Sequence, residues 1–214
     1  MSPVRSHHTL ILTALGLAVP IPFIYYGIQI LCATYNPDYS FIHQVASELG
    51  SNRAIRPMLF NIGIMVQGVL TLIASFGFLR ATLRLGVNST LSRLLFLALA
   101  TNGIQMIWAG HFPLPDPRHA GQMPFKIAMV LLPILLTAAL WQGSGAILKA
   151  YLITTLLLLV AMIPITSKIG VDTNHLRGLT QRLSTLTVFP VIAIAALILA
   201  LRYQSMTRDA MSTK

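Results

Sequence analysis

The sequence predicts an all-α integral membrane protein, a bundle of six transmembrane helices that forms a single domain over residues 1–214. Three observations support this fold class. The chain is 55% hydrophobic and only 9% charged, whereas soluble domains carry about 25% charged residues. Its mean hydropathy is +0.74. Its apolar residues form six charge-free runs, and these runs lack the strand-like alternation that a membrane β-barrel requires.

Each apolar run is close to the roughly 20 residues that a helix needs to cross a bilayer. The third and fourth runs are shorter, and they reach full length if Arg93 and Lys126 extend their charged ends to the interface. Prolines inside four of the runs, at positions 20 and 22, 133, 164 and 190, predict bent helices. The six runs cover residues 9–32, 58–79, 94–108, 127–141, 150–167 and 183–201.

An even number of spans places both termini on one side, here named the terminal face, together with the segments 80–93 and 142–149. The opposite face carries the first, second and third connections, at 33–57, 109–126 and 168–182. Eight basic residues lie on the terminal face and seven lie opposite, but the terminal-face segments are shorter in total. Because basic density near helix ends marks the cytoplasmic side, we expect the terminal face in the cytoplasm, an inner-membrane location, and the opposite face in the periplasm or exterior.

The net charge of +10 does not indicate a nucleic-acid partner, because the 15 Lys and Arg residues are spread along the connections and termini without a basic run. We expect membrane lipid as the partner instead. The single cysteine, Cys32, excludes an internal disulfide and a cysteine-based zinc cage.

Ionisable residues are concentrated on the face opposite the termini. Four of the five carboxylates and four of the six histidines lie in the three connections. In a chain with so few charged groups, this concentration indicates a polar site between helices rather than scattered solvation. These residues are Asp38, Glu48, Asp116, Asp172, His43, His111, His119 and His175.

An acid and a histidine occur close together in each connection. The pairs are Asp38 with His43, Asp116 with His119, and Asp172 with His175. In the last two pairs the spacing places both side chains on one face of a helical turn. There the carboxylate can fix the imidazole tautomer and leave the other ring nitrogen free to bind a metal or move a proton. Alternatively, the pairs only tie loops to helix ends.

Convergence of the connections would create a candidate zinc site. Catalytic zinc uses three nitrogen or oxygen ligands and keeps one position open for water. The candidate ligands are His43, His111, His119, His175 and Asp172, with Glu48 or Asp116 as the general base. No dedicated zinc motif is present, so a structural ion-pair network, proton transfer and ligand binding stay open as alternatives. Haem is disfavoured because no histidine lies within a charge-free run, from which axial ligands would have to project.

Two further sets of polar residues are candidates for binding or packing. Arginines on the same face can bind an anionic lipid headgroup, or they can neutralise the acids. Amides inside the second and third runs predict hydrogen bonds between helices, or they line a cavity. The arginines are Arg53, Arg56, Arg118 and Arg177, and the amides are Asn61, Gln67, Asn102 and Gln105.

Three short motifs resemble those of a known family. They are Ser47-Glu48-Leu49-Gly50, Phe60-Asn61-Ile62-Gly63, and Gly110-His111-Phe112-Pro113 followed by Asp116 and His119. The pattern is similar to that of an uncharacterised bacterial six-helix membrane family, domain of unknown function nine-nine-eight. It resembles more distantly the Frag, DRAM and Sfk membrane proteins, some of which are linked to lipid-anchor remodelling and lipid distribution. The resemblance implies six spans, and it implies that Ser47, Glu48, Gly50, Asn61, His111, Pro113, Asp116 and His119 are the matching positions.

Three functions are compatible with these features. The first is a metal-dependent hydrolase or transferase that acts on lipid at the non-cytoplasmic face. The second is a non-enzymatic protein that binds or transports a lipid or small molecule. The third is a structural or assembly protein whose charges only fix its loops.

Overall fold

A computed structural model describes residues 3–120, 123–166 and 174–212. All regular structure within these ranges is helical. The α-helices are α1 (Pro3–Gly16), α2 (Ile21–Ala33), α3 (Pro57–Arg84), α4 (Ser89–His111), α5 (Met123–Leu140), α6 (Ala146–Thr166), α7 (Arg177–Leu186) and α8 (Phe189–Ser212). Short 3-10 turns, at Ala46–Gly50, Pro117–Ala120 and Asn174–Leu176, lie between helices on the face opposite the termini.

Six segments of the described chain are long and apolar enough to cross a membrane, which confirms the predicted fold class. They are His7–Ala33, Pro57–Arg84, Ser89–His111, Pro117–Leu140, Ala146–Ile165 and Asn174–Asp209. The third and fourth spans include Arg93 and Lys126, and both side chains are exposed. The two short apolar runs therefore reach spanning length once the helices that contain these two charged residues are counted in full.

The first span consists of two helices rather than one bent helix. α1 ends at Gly16, α2 begins at Ile21, and turns occupy the residues between them. The turn still satisfies its backbone donors, since the Leu17 N–H donates to the Thr13 carbonyl at 3.0 Å. Pro20, which directly precedes α2, lacks the N–H that a continuous helix would need at this point.

The sixth span also consists of two helices, and its first part extends into the region predicted to be a connection. α7 covers Arg177–Leu186, and Pro190 lies in the first turn of α8, where a missing N–H removes no helical bond. By contrast, α5 continues through Pro133 and α6 continues through Pro164. Proline therefore lies close to a helix break in the first and last spans. In the fourth and fifth spans it lies inside a helix that continues through it.

The third helix is the centre of the packing. A Cβ atom placed on Gly68 would lie 2.6 Å from the Gly103 carbonyl oxygen in α4, so the two backbones are in direct contact. A Cβ atom on Gly63 would lie 2.7 Å from Ile28 in α2, and one on Gly77 would meet the backbone of α1 at 2.9 Å. Small residues permit such approach in membranes, where van der Waals packing drives helix association. Three helices thus pack closely on α3.

The first and last helices meet at the terminal face. His8 Nε2 lies 3.0 Å from Thr207 Oγ1, and the His8 ring stacks on Tyr203 with centroids 5.2 Å apart. This contact places the start of α1 beside the end of α8, as an even number of spans requires.

Candidate functional site

All three connections contribute to one cavity on the face opposite the termini, here named the outer pocket. Its volume is about 570 Å³, within the range of small-molecule sites. The first connection supplies most of the wall, the second supplies Leu114 and Pro115, and α7 supplies Arg177. The Asn52 N–H donates to the Leu114 carbonyl at 3.3 Å and joins the first two connections. The charged residues of the wall are Asp38, Glu48, Arg53 and Arg177.

Glu48 is held by one hydrogen bond on each carboxylate oxygen. Arg177 Nη2 donates to Oε1 at 2.7 Å, and Gln44 Nε2 donates to Oε2 at 3.0 Å. The turn that carries Glu48 is attached to α7 again through the Ala46 N–H, which donates to Gln181 Oε1 at 2.7 Å. The Glu48 and Arg177 side chains are 23% and 56% exposed, so the ion pair itself contributes about 0–1 kcal/mol. Its main effect is to fix the position of the pocket wall.

Two charged residues of the wall, Asp38 and Arg53, have side chains with no hydrogen-bond or ion-pair partner within the described ranges. Both residues are exposed. A carboxylate and a guanidinium on one wall, neither neutralised by a neighbour, can bind the two charges of a zwitterionic ligand.

Arg182 of α7 holds the first connection in place, and the sequence analysis did not single it out. Its Nη1 donates to the carbonyl oxygens of Phe41 at 2.7 Å and Gln44 at 3.0 Å, while Nη2 donates to the Tyr39 hydroxyl at 2.5 Å. A Cβ atom on Gly178 would collide with the Gln44 carbonyl oxygen, so α7 lies directly against this loop. Burial raises the pKa of Tyr39 above its usual value.

One sequence signal could have identified this contact. Arg177, Gln181 and Arg182 recur at helical spacing directly before the apolar run of the last span. Such spacing is typical of an amphipathic helix with a polar face. Residues 168–182 are predicted above to be a connection, whereas α7 begins within this segment at Arg177.

The histidines do not form the predicted acid–histidine pairs in the described part of the chain. His43 Nδ1 lies 2.5 Å from the His175 carbonyl oxygen, so these two residues are joined through a backbone group and not through a carboxylate. His119 Nδ1 lies 2.8 Å from the Phe112 carbonyl oxygen. His111 is exposed, with its ring edge-on to Phe112. Asp172 lies outside the described residues, so its pairing with His175 stays a prediction.

Asp116 pairs with Arg118 rather than with His119. Arg118 Nε and Nη2 donate to the two carboxylate oxygens at 2.9 and 2.7 Å, and the Arg118 backbone N–H adds a third bond at 2.9 Å. The planar guanidinium is only two residues away and satisfies both oxygens, which an imidazole cannot do. These hydrogen bonds lower the pKa of Asp116 to about 2. A carboxylate with that pKa is a weak general base at neutral pH.

Across residues 3–120, 123–166 and 174–212, no group of three or more His, Cys, Asp or Glu side chains is placed so that it could hold a metal ion. The candidate zinc ligands are therefore not brought together within these ranges. Because Asp172 lies outside them, zinc stays a prediction without a described set of ligands.

The four candidate arginines are divided between two environments. Arg53 and Arg177 line the outer pocket. Arg56 and Arg118 instead lie over aromatic rings, with their guanidinium carbons 4.2 and 3.9 Å from the ring centroids. Cation–π contacts of this kind fix a guanidinium beside the ring. Arg53 and Arg177 are thus the arginines positioned to contact a ligand in the outer pocket.

The four amides of α3 and α4 have different contacts. Asn61 Nδ2 donates to the Gly50 carbonyl at 3.0 Å, which ties α3 to the first connection rather than to another helix. Gln67 and Asn102 are buried, and neither amide atom of either side chain has a hydrogen-bond partner among the described residues. Gln105 Oε1 also lacks one. Within the described ranges, Gln67 and Asn102 therefore do not form the predicted hydrogen bonds between helices.

These features together define a helical membrane protein that spans the bilayer several times and carries a charged pocket on one face. A family model described as "Protein of unknown function (DUF998)" matches residues 17–200. The chain belongs to this family, as the three motifs predicted. Comparison with curated proteins and with solved structures gave no match. The more distant likeness to the Frag, DRAM and Sfk proteins stays a prediction.

Proposed function

We propose that the outer pocket binds the zwitterionic headgroup of a membrane lipid that carries a phosphate and a primary amine. The observation that carries this proposal is the placement of Asp38 and Arg53 on one cavity wall, with no side-chain partner among the described residues. Arg53 can bind a phosphate with two parallel N–H groups of its planar guanidinium. Asp38 can accept hydrogen bonds from the ammonium group.

The rim of the pocket supports a lipid over a freely soluble zwitterion. Ile55, which lines the pocket, is 67% exposed, and Met58 in the first turn of α3 is 65% exposed. Exposed apolar side chains beside a polar cavity are favourable at a membrane interface, where acyl chains can cover them. A soluble ligand would leave these side chains in water.

Binding of three phospholipids that share the same acyl chains tests the proposal. Native mass spectrometry of the detergent-solubilised protein compares dioleoyl-phosphatidylethanolamine, -phosphatidylcholine and -phosphatidylglycerol. We expect the tightest binding for the ethanolamine lipid, and about tenfold weaker binding after Arg53→Gln or Asp38→Asn. The matched control is Arg56→Gln, because Arg56 lies over the Tyr35 ring and does not line the pocket. Unchanged binding in Arg53→Gln contradicts the proposal.

A lipid hydrolase or transferase in the same pocket would convert the bound lipid. Glu48 is the candidate general base within the pocket, because each of its carboxylate oxygens accepts one hydrogen bond and keeps a second lone pair for a proton. Incubation with the ethanolamine lipid, with and without added zinc, followed by mass spectrometry of the lipid, separates the two functions. Intact lipid supports binding alone, whereas product that disappears in Glu48→Gln supports an enzyme.

A further inference from the structure

A crevice separates the terminal-face ends of α6 and α8. Its volume is about 820 Å³, comparable to that of ligand sites. The walls are largely apolar, with Ile147, Leu148 and Tyr151 from α6 and Ile194, Ile198 and Leu201 from α8. Ile147 is 90% exposed, so the crevice has at its edge an aliphatic side chain that the bundle itself does not cover.

The residues between α5 and α6, together with Arg202, form the polar end of this crevice. Arg202 donates to the Gln142 carbonyl and to Ser144 Oγ, both at 3.0 Å, which fixes its guanidinium beside the turn. Lys149, in the first turn of α6, does not line the crevice, and its Nζ lies 5.1 Å from the Trp141 ring centroid. Within the described ranges Arg202 forms no ion pair with a carboxylate.

The whole terminal face is positively charged. Among the side chains that the structure describes, six basic residues lie there with one carboxylate, Asp209, whereas six basic residues share the opposite face with three carboxylates. A lipid surface with negative headgroups is attracted to such a face.

We infer that the crevice between α6 and α8 binds an anionic phospholipid, with an acyl chain along the apolar walls and the phosphate at Arg202. The apolar walls account for the acyl chain, which a soluble anion lacks. Arg202, a cation without a carboxylate partner in the described ranges, accounts for a headgroup of net negative charge, because a zwitterionic headgroup would be attracted to it less strongly. This site lies on the opposite face from the outer pocket and does not depend on the function proposed for it.

Native mass spectrometry with dioleoyl-phosphatidylglycerol, dioleoyl-phosphatidylcholine and glycerol phosphate tests the charge preference. We expect the wild-type protein to prefer phosphatidylglycerol over phosphatidylcholine about fivefold or more, and Arg202→Gln to remove most of that preference. Arg80→Gln is the matched control, since Arg80 is an exposed residue of the same face that does not line the crevice. Equal wild-type affinity for the two lipids, or equally tight binding of glycerol phosphate, overturns the inference.

A second variant tests the shape of the site and keeps the inference falsifiable if Arg202→Gln unfolds. Ile198→Phe fills the crevice, so we expect at least fivefold weaker binding of both lipids there. Leu97→Phe, on an exposed position of α4, leaves binding unchanged. Thermal unfolding in detergent confirms that each variant is folded. Unaltered phosphatidylglycerol binding in a folded Ile198→Phe protein overturns the inference.

Discussion

At the scale of single residues, Arg182 fixes the first connection, which forms most of the wall of the outer pocket. Its guanidinium bonds to two carbonyl oxygens and one hydroxyl of the first connection, and no other described side chain joins α7 to so many groups there. We expect Arg182→Gln to lower the free energy of unfolding by about 1–3 kcal/mol, because the Phe41 and Gln44 carbonyl groups lose a charged donor.

Hydrogen–deuterium exchange measures this effect locally. Exchange should accelerate in residues 39–48 of Arg182→Gln and stay unchanged in α3 and α4. The matched control is Arg84→Gln, at an exposed position in the last turn of α3. Wild-type exchange rates in residues 39–48 of Arg182→Gln would show that the connection holds its shape without this contact.

The pKa of Asp116 predicts how the stability of the fold depends on pH. Its pKa is lowered from 3.8 to about 2 by hydrogen bonds from Arg118, so the folded protein binds this proton less readily than the unfolded chain. The interaction therefore stabilises the fold above about pH 3.8 and is lost as the pH falls towards 2. Carboxyl NMR, assigned with Asp116→Asn, should give a midpoint near 2 that returns towards 3.8 in Arg118→Ala. A wild-type midpoint near 3.8 contradicts the described geometry.

The same carboxylate shows where prediction from sequence reached its limit. The spacing of Asp116 and His119 correctly indicates that they lie on one turn, since the His119 N–H donates to the Asp116 carbonyl. Spacing does not determine which cation the carboxylate binds. Asp116 binds Arg118 rather than His119 because the guanidinium donates to both carboxylate oxygens at once. Only the side-chain geometry shows this difference.

At the scale of elements, the glycines of α3 determine how closely the helices pack. We expect Gly68→Val to lower the free energy of unfolding by about 1–3 kcal/mol, because the new side chain would push against the Gly103 backbone. Denaturation by sodium dodecyl sulfate measures the change. Gly27→Ala in α2 is the control, since a Cβ atom there meets nothing within 4 Å. Equal stability of the two variants would show that α3 and α4 can separate without cost.

The helical elements were predictable to the extent that they depend on local hydropathy. The six apolar runs correspond to the six spans, because each run has to satisfy its backbone within itself in lipid. Two features depend on tertiary packing and were missed. α7 is polar enough to resemble a loop, and the break before α2 is held by Ala18 and Ile21, which are completely buried. Prolines 20 and 22 indicated a disturbance of the helix without deciding between a bend and a break.

At the scale of the whole molecule, orientation is the prediction that affects every functional statement. We expect the outer pocket in the periplasm or exterior and the crevice between α6 and α8 on the cytoplasmic side. In a Cys32→Ala background, Asn52→Cys should react with a membrane-impermeant maleimide in intact cells. Gly145→Cys should react only after permeabilisation. Both positions are exposed, so the reverse labelling pattern would establish the opposite orientation.

The location of the outer pocket was better predicted than its composition. Counting carboxylates and histidines predicted a polar site on the face opposite the termini, and the outer pocket is a cavity on that face. The wall itself combines two acids, two arginines and several neutral side chains, and no histidine of the described chain is among its residues. The identity of the wall depends on how α7 lies against the first connection, which follows from packing rather than from composition.

The glycine contact between α3 and α4 has a consequence for the order of assembly. These two helices are adjacent in sequence and are joined by residues 85–88 alone. Their backbones are in contact at Gly68 and Gly103, where no side chain lies between them. Inserted helices associate by packing once they are in the bilayer, and neighbours with short links find each other first. We therefore expect the α3–α4 hairpin to be the earliest tertiary unit during biogenesis, onto which the split first span then docks.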